Sequence, residues 1–330
     1  MHTHSLNISH KIPSRHARVT VVIPCFKAKD TICQVIKKIP DFVDRIIVVD
    51  DKCPQGSGKA VEALLSSRIT LVRHEQNQGV GGAMISGYKK ALEIGTDIVV
   101  KLDADGQMDP EDIARLIRPL LLEEADYTKG NRFTDFRALK SMPSIRLLGN
   151  SALSFLLKAA SGYWNIMDPT NGFTAIRAET LQRIDLSKIA KDYFFESSML
   201  IALNLQNAIV ADVNMPARYF GEHSSLNIRR SLITFPPRLL TGLLERGLLK
   251  YFVYDFNMAS LYFFLGIPML FISSFWGIME WIDSIRTRRA RPAGTIMLVA
   301  LPIILGFQMI LQAIGIDIYS NPSRIPRTKV

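Results

Sequence analysis

The sequence predicts an α/β fold with a mostly parallel sheet, followed by interfacial helices and a two-helix transmembrane hairpin. Three observations predict it: strand-like and helix-like segments alternate from residue 18 to 126, leucines mix with basic residues over 226–256, and two long apolar runs follow. Strands that are apolar throughout are typical of parallel sheets covered by helices on both faces. In chain order, the predicted units are a disordered tail (1–17), the α/β domain (18–225), amphipathic juxtamembrane helices (226–256), a transmembrane region (257–318) and a cytoplasmic tail (319–330).

Acidic or turn-forming residues follow three of the predicted strands. These strand ends read Pro24-Cys25-Phe26, Asp50-Asp51 and Asp103-Ala104-Asp105. Because ligands of parallel α/β sheets bind beyond the carboxyl ends of the strands, we expect a shared site at that edge. Three ordinary loops are the alternative interpretation.

The triplet Asp103-Ala104-Asp105 suits a divalent cation. Alternation along a strand sends residues i and i+2 to the same side, so both carboxylates can face one point. Mg²⁺ or Mn²⁺ takes one or two carboxylates and completes its shell with water and phosphate oxygens, and Gln107 would add an oxygen ligand. An ordinary Asx turn is the alternative for this triplet.

The glycines do not favour a dinucleotide-binding fold, which needs a glycine-rich loop after the first strand. That loop reads PCFKAKD, and the glycines come instead at Gly79, Gly81 and Gly82, where a helix opens after the third strand. We interpret them as close helix packing, or as backbone near a ligand.

The segment 130–150 is basic. It carries Arg132, Arg137 and Arg146, with Lys129 and Lys140 close by. Since guanidinium groups hold phosphate oxygens in a fixed geometry, the segment is either a cationic loop that closes over phosphates or a solvated basic face.

The net charge of +10 suggests nucleic acid, an anionic membrane face or phosphate-bearing substrates as partners. No zinc-finger spacing or dense basic helix with interleaved aromatic residues occurs, so we predict no nucleic-acid partner.

The three cysteines, Cys25, Cys33 and Cys53, lack metal-binding spacing and are interpreted as reduced cytosolic thiols. The first seventeen residues contain no apolar segment of a signal peptide.

Two apolar runs, 257–281 and 294–314, are long enough to span a bilayer. The positive-inside rule does not decide their orientation, because arginines occur in the linker as well as in the flanks. The linker arginines are Arg286, Arg288, Arg289 and Arg291. We expect an integral, multi-pass protein of the cytoplasmic membrane with its α/β domain in the cytoplasm and the linker near lipid head groups.

Seven short motifs occur in the order typical of one enzyme family. They read VVIPCF, IIVVDD, NQGVGGA, LDADGQ, GNRF, PTNGFTAIR and PARYFGEHSS. On these motifs the sequence, over residues 18 to about 226, resembles glycosyltransferase family 2, and within it the polyprenyl-phosphate glycosyltransferases of the dolichyl-phosphate mannose synthase type. The resemblance implies a GT-A fold, a metal-dependent hexosyltransferase that uses Mg²⁺ or Mn²⁺, a UDP- or GDP-linked sugar donor and an undecaprenyl or dolichyl phosphate acceptor.

The resemblance also implies roles for residues at matching positions. The nucleoside would be held by Pro24, Phe26 and Asp50, with Asp51 beside them. The metal and the diphosphate of the donor would be held by Asp103, Asp105 and Gln107. The phosphate groups would be served by Arg132, Arg146 and Arg218.

Two departures from the family pattern change these expectations. The stretch Phe26-Lys27-Ala28 stands where the family often has Tyr-Asn-Glu, so the ribose contact must come from another residue. Residues 221–225 lack the lysine of the family's Gly-x-Ser-Lys segment, and His223 either replaces it as a donor or is a surface histidine.

The implied reaction inverts the anomeric carbon, because the acceptor attacks opposite the leaving diphosphate. A polyprenyl phosphate is already ionised and needs no base, whereas a sugar hydroxyl would need one, and Asp168 or Glu196 would then be the candidate.

The alternatives are polysaccharide synthesis, a non-catalytic membrane scaffold and a soluble nucleotidyltransferase. A homo-oligomer is left open.

Overall fold

The computed structural model describes residues 17–132, 144–215 and 228–322, and within the helices it describes the side chains from residues 153 and 233 onward. Seven strands form one sheet in the order β3-β2-β1-β4-β6-β5-β7. The strands are β1 (Val19–Cys25), β2 (Arg45–Asp50), β3 (Ile69–Arg73), β4 (Ile98–Lys101), β5 (Tyr127–Asn131), β6 (Thr174–Arg177) and β7 (Val210–Asn214). All neighbouring pairs are parallel except those of β6, which is antiparallel to both β4 and β5. The predicted α/β fold with a mostly parallel sheet is confirmed.

Helices cover both faces of the sheet. The helices are α1 (Lys29–Lys37), α2 (Ser57–Glu62), α3 (Gly79–Glu93), α4 (Ile113–Leu121), α5 (Ser144–Ser161), α6 (Ala178–Gln182), α7 (Phe195–Leu205), α8 (Ile228–Leu248), α9 (Met258–Thr287) and α10 (Ala293–Tyr319). Strand alternation divides the core: Val22 packs on one face with α3 and α7, while Val21 and Ile23 pack on the other with α1 and α4. This double burial explains why β1, β2 and β4 are apolar throughout.

The glycines at the start of α3 allow close packing of backbone. A Cβ at Gly81 would lie 2.1 Å from the carbonyl oxygen of Ala190, and one at Gly79, whose φ is +81°, would lie 2.7 Å from that of Lys191. The amide of Gly82 donates to the same Lys191 oxygen at 2.9 Å. These contacts favour the packing interpretation of the glycines, because the backbone they meet belongs to this chain.

Helices α9 and α10 are both long and apolar enough to cross a membrane. They pack closely at Gly266 and Gly306, where a Cβ on either glycine would lie within 2.9 Å of the other's carbonyl oxygen. A Cβ at Gly277 would lie 2.5 Å from the side chain of Val299, and these two contacts together show that the helices run antiparallel. Small residues at a helix crossing are typical of membrane helix pairs.

The linker between α9 and α10 is less positive than its arginines suggest. Arg291 forms ion pairs with Glu280, at 2.8 Å, and with Asp283. Two acids at the end of α9 therefore offset part of the linker charge, which weakens its conflict with the predicted orientation.

One face of α8 is apolar and exposed. Its members lie at helical spacing and are Ile233, Leu240, Leu244 and Leu248. The π-helical segment Leu249–Tyr254 and the residues after it continue this surface with Phe252, Val253, Tyr254 and Phe256. An exposed apolar face is what an interfacial helix requires.

A buried ion pair joins the α/β domain to the end of α10. The guanidinium of Arg246, which is 1% exposed, donates to both carboxylate oxygens of Asp317 at 2.9 and 2.8 Å. It also donates to the carbonyl oxygens of Ala159 and Ala160, in the last turn of α5, at 2.9 Å each. Arg246 therefore caps α5 and binds α10 at once.

Further donors surround the Asp317 carboxylate. They are the Tyr251 hydroxyl at 2.5 Å, the Trp164 indole at 3.3 Å and the Lys250 ammonium at 3.5 Å. The cost of burying a carboxylate at this junction is offset only while these partners remain in place.

We predict that Asp317→Asn lowers stability by about 3 kcal/mol, because it leaves the buried Arg246 guanidinium without its counter-charge. The control is Asp283→Asn, which removes an Asp–Arg pair whose aspartate is 55% exposed and should cost less than about 1 kcal/mol. Unfolding of both variants in detergent checks this. Equal losses would contradict the structural role of the junction.

Candidate active site

The carboxyl ends of β1, β2 and β4 meet at one edge of the sheet. Cys25 pairs with Asp50 across β1 and β2, and Val22 pairs with Lys101 across β1 and β4. Because these strands are parallel, the residues that follow them, including Asp103, surround a common region. The structure therefore brings together the three strand ends that the sequence singled out.

Asp50 holds the loop after β2. It is 9% exposed, and one of its oxygens accepts from the amide of Cys53 at 2.8 Å. A Cβ at Gly58 would lie 2.2 Å from the other oxygen of Asp50. Only glycine fits there, so the backbone of α2 packs directly against the Asp50 carboxylate. The ring of Phe26 is 44% exposed at the neighbouring strand end. An exposed ring beside a fixed carboxylate is an arrangement that can receive a nucleoside.

Asp51 is buried beside the start of α3. This residue is 2% exposed, and its carboxylate is used inside the protein. It accepts from the amides of Gln78 and Gly79 at 2.8 Å each and lies 2.6 Å from Nδ1 of His74. Both oxygens therefore hold the turn that starts α3, where a carboxylate stabilises the helix N-terminus, and the nucleotide-binding role of Asp51 stays a prediction.

Asp103 and Asp105 lie on the loop after β4. One oxygen of Asp105 accepts from the amide of Gln107 at 2.9 Å, which closes an Asx turn around Gly106, whose φ is +78°. The turn fixes the position of Asp105 at this loop, and a carboxylate in an Asx turn can also bind a cation.

Over residues 17–132, 144–215 and 228–322, no three His, Cys, Asp or Glu side chains gather as a complete metal site. The two carboxylates and the Gln107 amide fit a hard cation that takes its other ligands from phosphate and water, as Mg²⁺ and Mn²⁺ do. The donor set suits these cations and lacks the nitrogen or sulfur ligands that zinc prefers.

A buried lysine lies beneath this loop. Lys101, the last residue of β4, is 1% exposed, and its ammonium lies 2.7 Å from Asp103 and 3.3 Å from Glu196 at the start of α7. Burial favours the neutral amine, but Asp103 and Glu196 outweigh it and raise the pKa of Lys101 above its usual range. The ammonium thus stays charged, and Glu196, a candidate base in the sequence, is ion-paired.

Arg132 is held by Asp168. Its Nε and Nη2 atoms donate to the two oxygens of Asp168 at 2.8 and 3.2 Å, a bidentate pair. Asp168 is fully buried, and it also accepts from the Arg132 amide at 3.4 Å and the Thr170 hydroxyl at 3.3 Å. Asp168 therefore holds the guanidinium of Arg132 in one orientation, and its role as a base stays a prediction.

Lys129 does not belong to a cationic surface loop. It lies on β5 with no exposed area and donates to the carbonyl oxygen of Asn171. Burial lowers the pKa of its ammonium to about 8, although Glu196 and Asp168 oppose the shift. Asn171 in turn donates to the Gly130 oxygen at 2.6 Å, so the PTNGFT stretch is fixed against β5.

Some expected site residues lie outside the described part of the chain. Arg218 and His223 fall within 216–227, and the side chain of Arg146 is likewise not described, although α5 includes its backbone. Their roles stay predictions.

The chain is similar in sequence to known proteins. The model of glycosyl transferase family 2 matches residues 20–185. The UDP-N-acetylglucosamine–dolichyl-phosphate N-acetylglucosaminyltransferase of Methanococcus voltae is 31% identical over 216 residues, which are 61% of this chain and 86% of that protein. The undecaprenyl-phosphate mannosyltransferase of Micrococcus luteus is 32% identical over 187 residues, which are 55% of this chain and 76% of that protein.

Among solved structures, glucosyl-3-phosphoglycerate synthase from Mycobacterium tuberculosis has a similar fold. Its complex with UDP superimposes with a TM-score of 0.53 at 23% identity, covering 70% of this chain and 80% of that one. Its complex with Mn²⁺ and UDP-glucose gives a TM-score of 0.52 at 22% identity, covering 70% and 79%. This likeness supports the shared GT-A fold.

We predict a pH signature for Lys129. Since its folded pKa of about 8 lies below the ordinary 10.5, the unfolded chain binds the extra proton between these values, and stability rises with pH across that window. Relative to Lys129→Met, the wild type should gain up to about 3 kcal/mol from pH 8 to 10.5.

Denaturant unfolding at a series of pH values measures this difference. Lys101→Met is the matched control, because the raised pKa of Lys101 keeps its charge throughout the same window. If the difference in unfolding free energy between the wild type and Lys129→Met does not change with pH, the Lys129 ammonium of the wild type is not desolvated, which would contradict the prediction.

Proposed function

Because this chain belongs to glycosyl transferase family 2, we propose that it is a membrane-bound inverting glycosyltransferase that moves a sugar from a nucleotide diphosphate sugar to a polyprenyl phosphate. The observation that carries this proposal is the pair Asp103 and Asp105 at the carboxyl edge of a sheet whose chain continues into two apolar helices. A donor bearing a diphosphate fits the carboxylates through a cation, and a lipid acceptor fits the helices.

The nucleoside of the donor would lie along the ends of β1 and β2. Pro24 and the exposed ring of Phe26 would contact the base, and Asp50 would accept hydrogen bonds from the nucleoside. Both UDP and GDP donors fit this description, and the relatives' names include one that uses a UDP-linked sugar.

A divalent cation, Mg²⁺ or Mn²⁺, would be held by Asp103, Asp105 and the amide oxygen of Gln107. When bound, it would offset the charge that builds on the leaving diphosphate. The Asx turn of Asp105 and the Lys101 contact of Asp103 hold the two carboxylates at this loop before any ligand arrives.

Arg132 would add a fixed positive charge for the phosphate groups. Its bidentate contact with the buried Asp168 holds the guanidinium in one orientation while 38% of its side chain stays exposed. We expect Arg146 and Arg218 to serve the same groups.

A polyprenyl phosphate acceptor agrees with the chemistry of the site. A phosphate is ionised near neutral pH, so the reaction needs no general base, and both carboxylates that were candidates for one are engaged by Arg132 and Lys101. The exposed apolar face of α8 and the helices α9 and α10 would hold the domain beside the bilayer, with the α/β domain on the cytoplasmic side. The acceptors in the relatives' names, dolichyl and undecaprenyl phosphate, support this class.

Replacing Asp105 tests the cation site. We predict that Asp105→Asn abolishes metal-dependent sugar transfer and leaves the melting temperature within a few degrees, because Asn can keep the Asx turn but lacks the charge. Asp185→Asn is the matched control, since Asp185 accepts from the Ser187 amide at 3.0 Å in the same kind of turn on an exposed loop. Unchanged turnover in Asp105→Asn would contradict the site.

The acceptor class is tested with purified full-length protein in detergent. The protein is given Mn²⁺ or Mg²⁺ and labelled UDP-N-acetylglucosamine or GDP-mannose, with and without undecaprenyl or dolichyl phosphate, and the label is followed into the lipid phase. We expect lipid-borne label with at least one donor. Transfer to a glycan but never to lipid would instead favour polysaccharide synthesis, and no transfer with any combination would favour a scaffold.

A further inference from the structure

Lys101 is a charged residue at a buried position of the sheet. It ends a strand whose other residues, Ile98, Val99 and Val100, are all apolar and buried. Burying an ammonium costs several kcal/mol unless carboxylates and hydrogen-bond acceptors surround it. A charged lysine can therefore be accommodated at the end of β4 because carboxylates and a carbonyl oxygen surround it.

Three acceptors surround the Lys101 ammonium, which is one acceptor for each of its three protons. Asp103 lies at 2.7 Å, the carbonyl oxygen of Gly172 at 3.2 Å and Glu196 at 3.3 Å. A Cβ at Gly172 would lie 2.5 Å from Lys101 Nζ and 2.9 Å from an oxygen of Asp103, so only glycine fits beside this ion pair. The ammonium lies between two carboxylates, Asp103 and Glu196.

The proposed function places Asp103 in two roles. It is the nearer counter-ion of Lys101, and it is one of the carboxylates expected to bind a divalent cation. A cation and an ammonium compete for the same carboxylate charge, so Asp103 can serve the cation fully only if another group balances Lys101. Glu196 is the carboxylate in position to do so, and its side chain is only 14% exposed.

We propose that Glu196 is a positioning residue for the metal site: it holds the ammonium of Lys101 when Asp103 binds the divalent cation, and so acts on the cation through Lys101. This rests on the proposed function, in which Asp103 is a metal ligand. The charges agree, because Lys101 and Glu196 cancel and leave Asp103 and Asp105 to match the double charge of the cation.

The test measures metal binding as well as turnover. Full-length protein in detergent with UDP is titrated with Mn²⁺ and the free ion is followed by electron paramagnetic resonance. We expect Glu196→Gln to weaken Mn²⁺ binding about tenfold, the scale at which groups behind metal ligands act. UDP binding without metal, and turnover at saturating Mn²⁺, should change little.

A control and a double variant separate this effect from simple loss of charge. Glu179→Gln removes an exposed carboxylate paired with Arg177 at 3.5 Å and should leave Mn²⁺ binding unchanged. In a Lys101→Met background, Glu196→Gln should have little further effect, because no ammonium remains to compete for Asp103.

Two results would overturn the proposal. Unchanged Mn²⁺ affinity with a large loss of turnover in Glu196→Gln would make Glu196 a base. Equal weakening in both backgrounds would mean that Glu196 acts on the cation directly. If Lys101→Met does not fold, the comparison of Glu196→Gln with Glu179→Gln still decides whether Glu196 affects metal binding. A wild type that binds UDP but no Mn²⁺ would instead refute the metal-dependent function itself.

Discussion

The buried ammonium of Lys101 is the interaction on which the site depends. An amino group without solvent must be neutralised, and this requirement draws Asp103, Gly172 and Glu196 together from three separate parts of the chain. The PTNGFT loop is held against β5 by Asn171, and it carries the Gly172 carbonyl. The start of α7, the loop after β4 and the loop before β6 are thereby fixed relative to one another, so the carboxylates at the sheet edge are positioned by the core beneath them.

A second buried charge organises the opposite end of the same helices. Arg246 and Asp317 join the last turns of α5 and α10, and Arg246 also approaches Asn204 near the end of α7. Since Glu196 lies in the first turn of α7, this helix connects the Arg246–Asp317 pair to the cluster around Lys101. The end of α10 is therefore joined to α5 and α8 through a specific ionic contact.

Periodic features of this fold were predictable from sequence, and pairings between distant residues were not. The alternation of β1 to β4, the two carboxylates at i and i+2 and the long apolar runs follow from local pattern. Asp50 and Asp51 look alike in sequence, but only the packing of α3 shows that Asp51 caps it. Lys129 and Lys101 look like surface charges because the groups that surround them in the core include residues far along the chain, Asn171 for Lys129 and Glu196 for Lys101. The sequence feature that could have indicated the burial of Lys101 is its position at the end of β4, IVVK, whose other residues are all apolar.

The most direct measurement is the anomalous diffraction of crystals of the full-length protein grown with Mn²⁺ and UDP. One manganese peak within coordination distance of both Asp103 and Asp105, and also of the UDP phosphates, is the predicted result, with the ammonium of Lys101 nearer to Glu196 than to Asp103. A peak elsewhere on the chain, or UDP bound at this edge with no manganese beside the carboxylates, would contradict the assignment of the site.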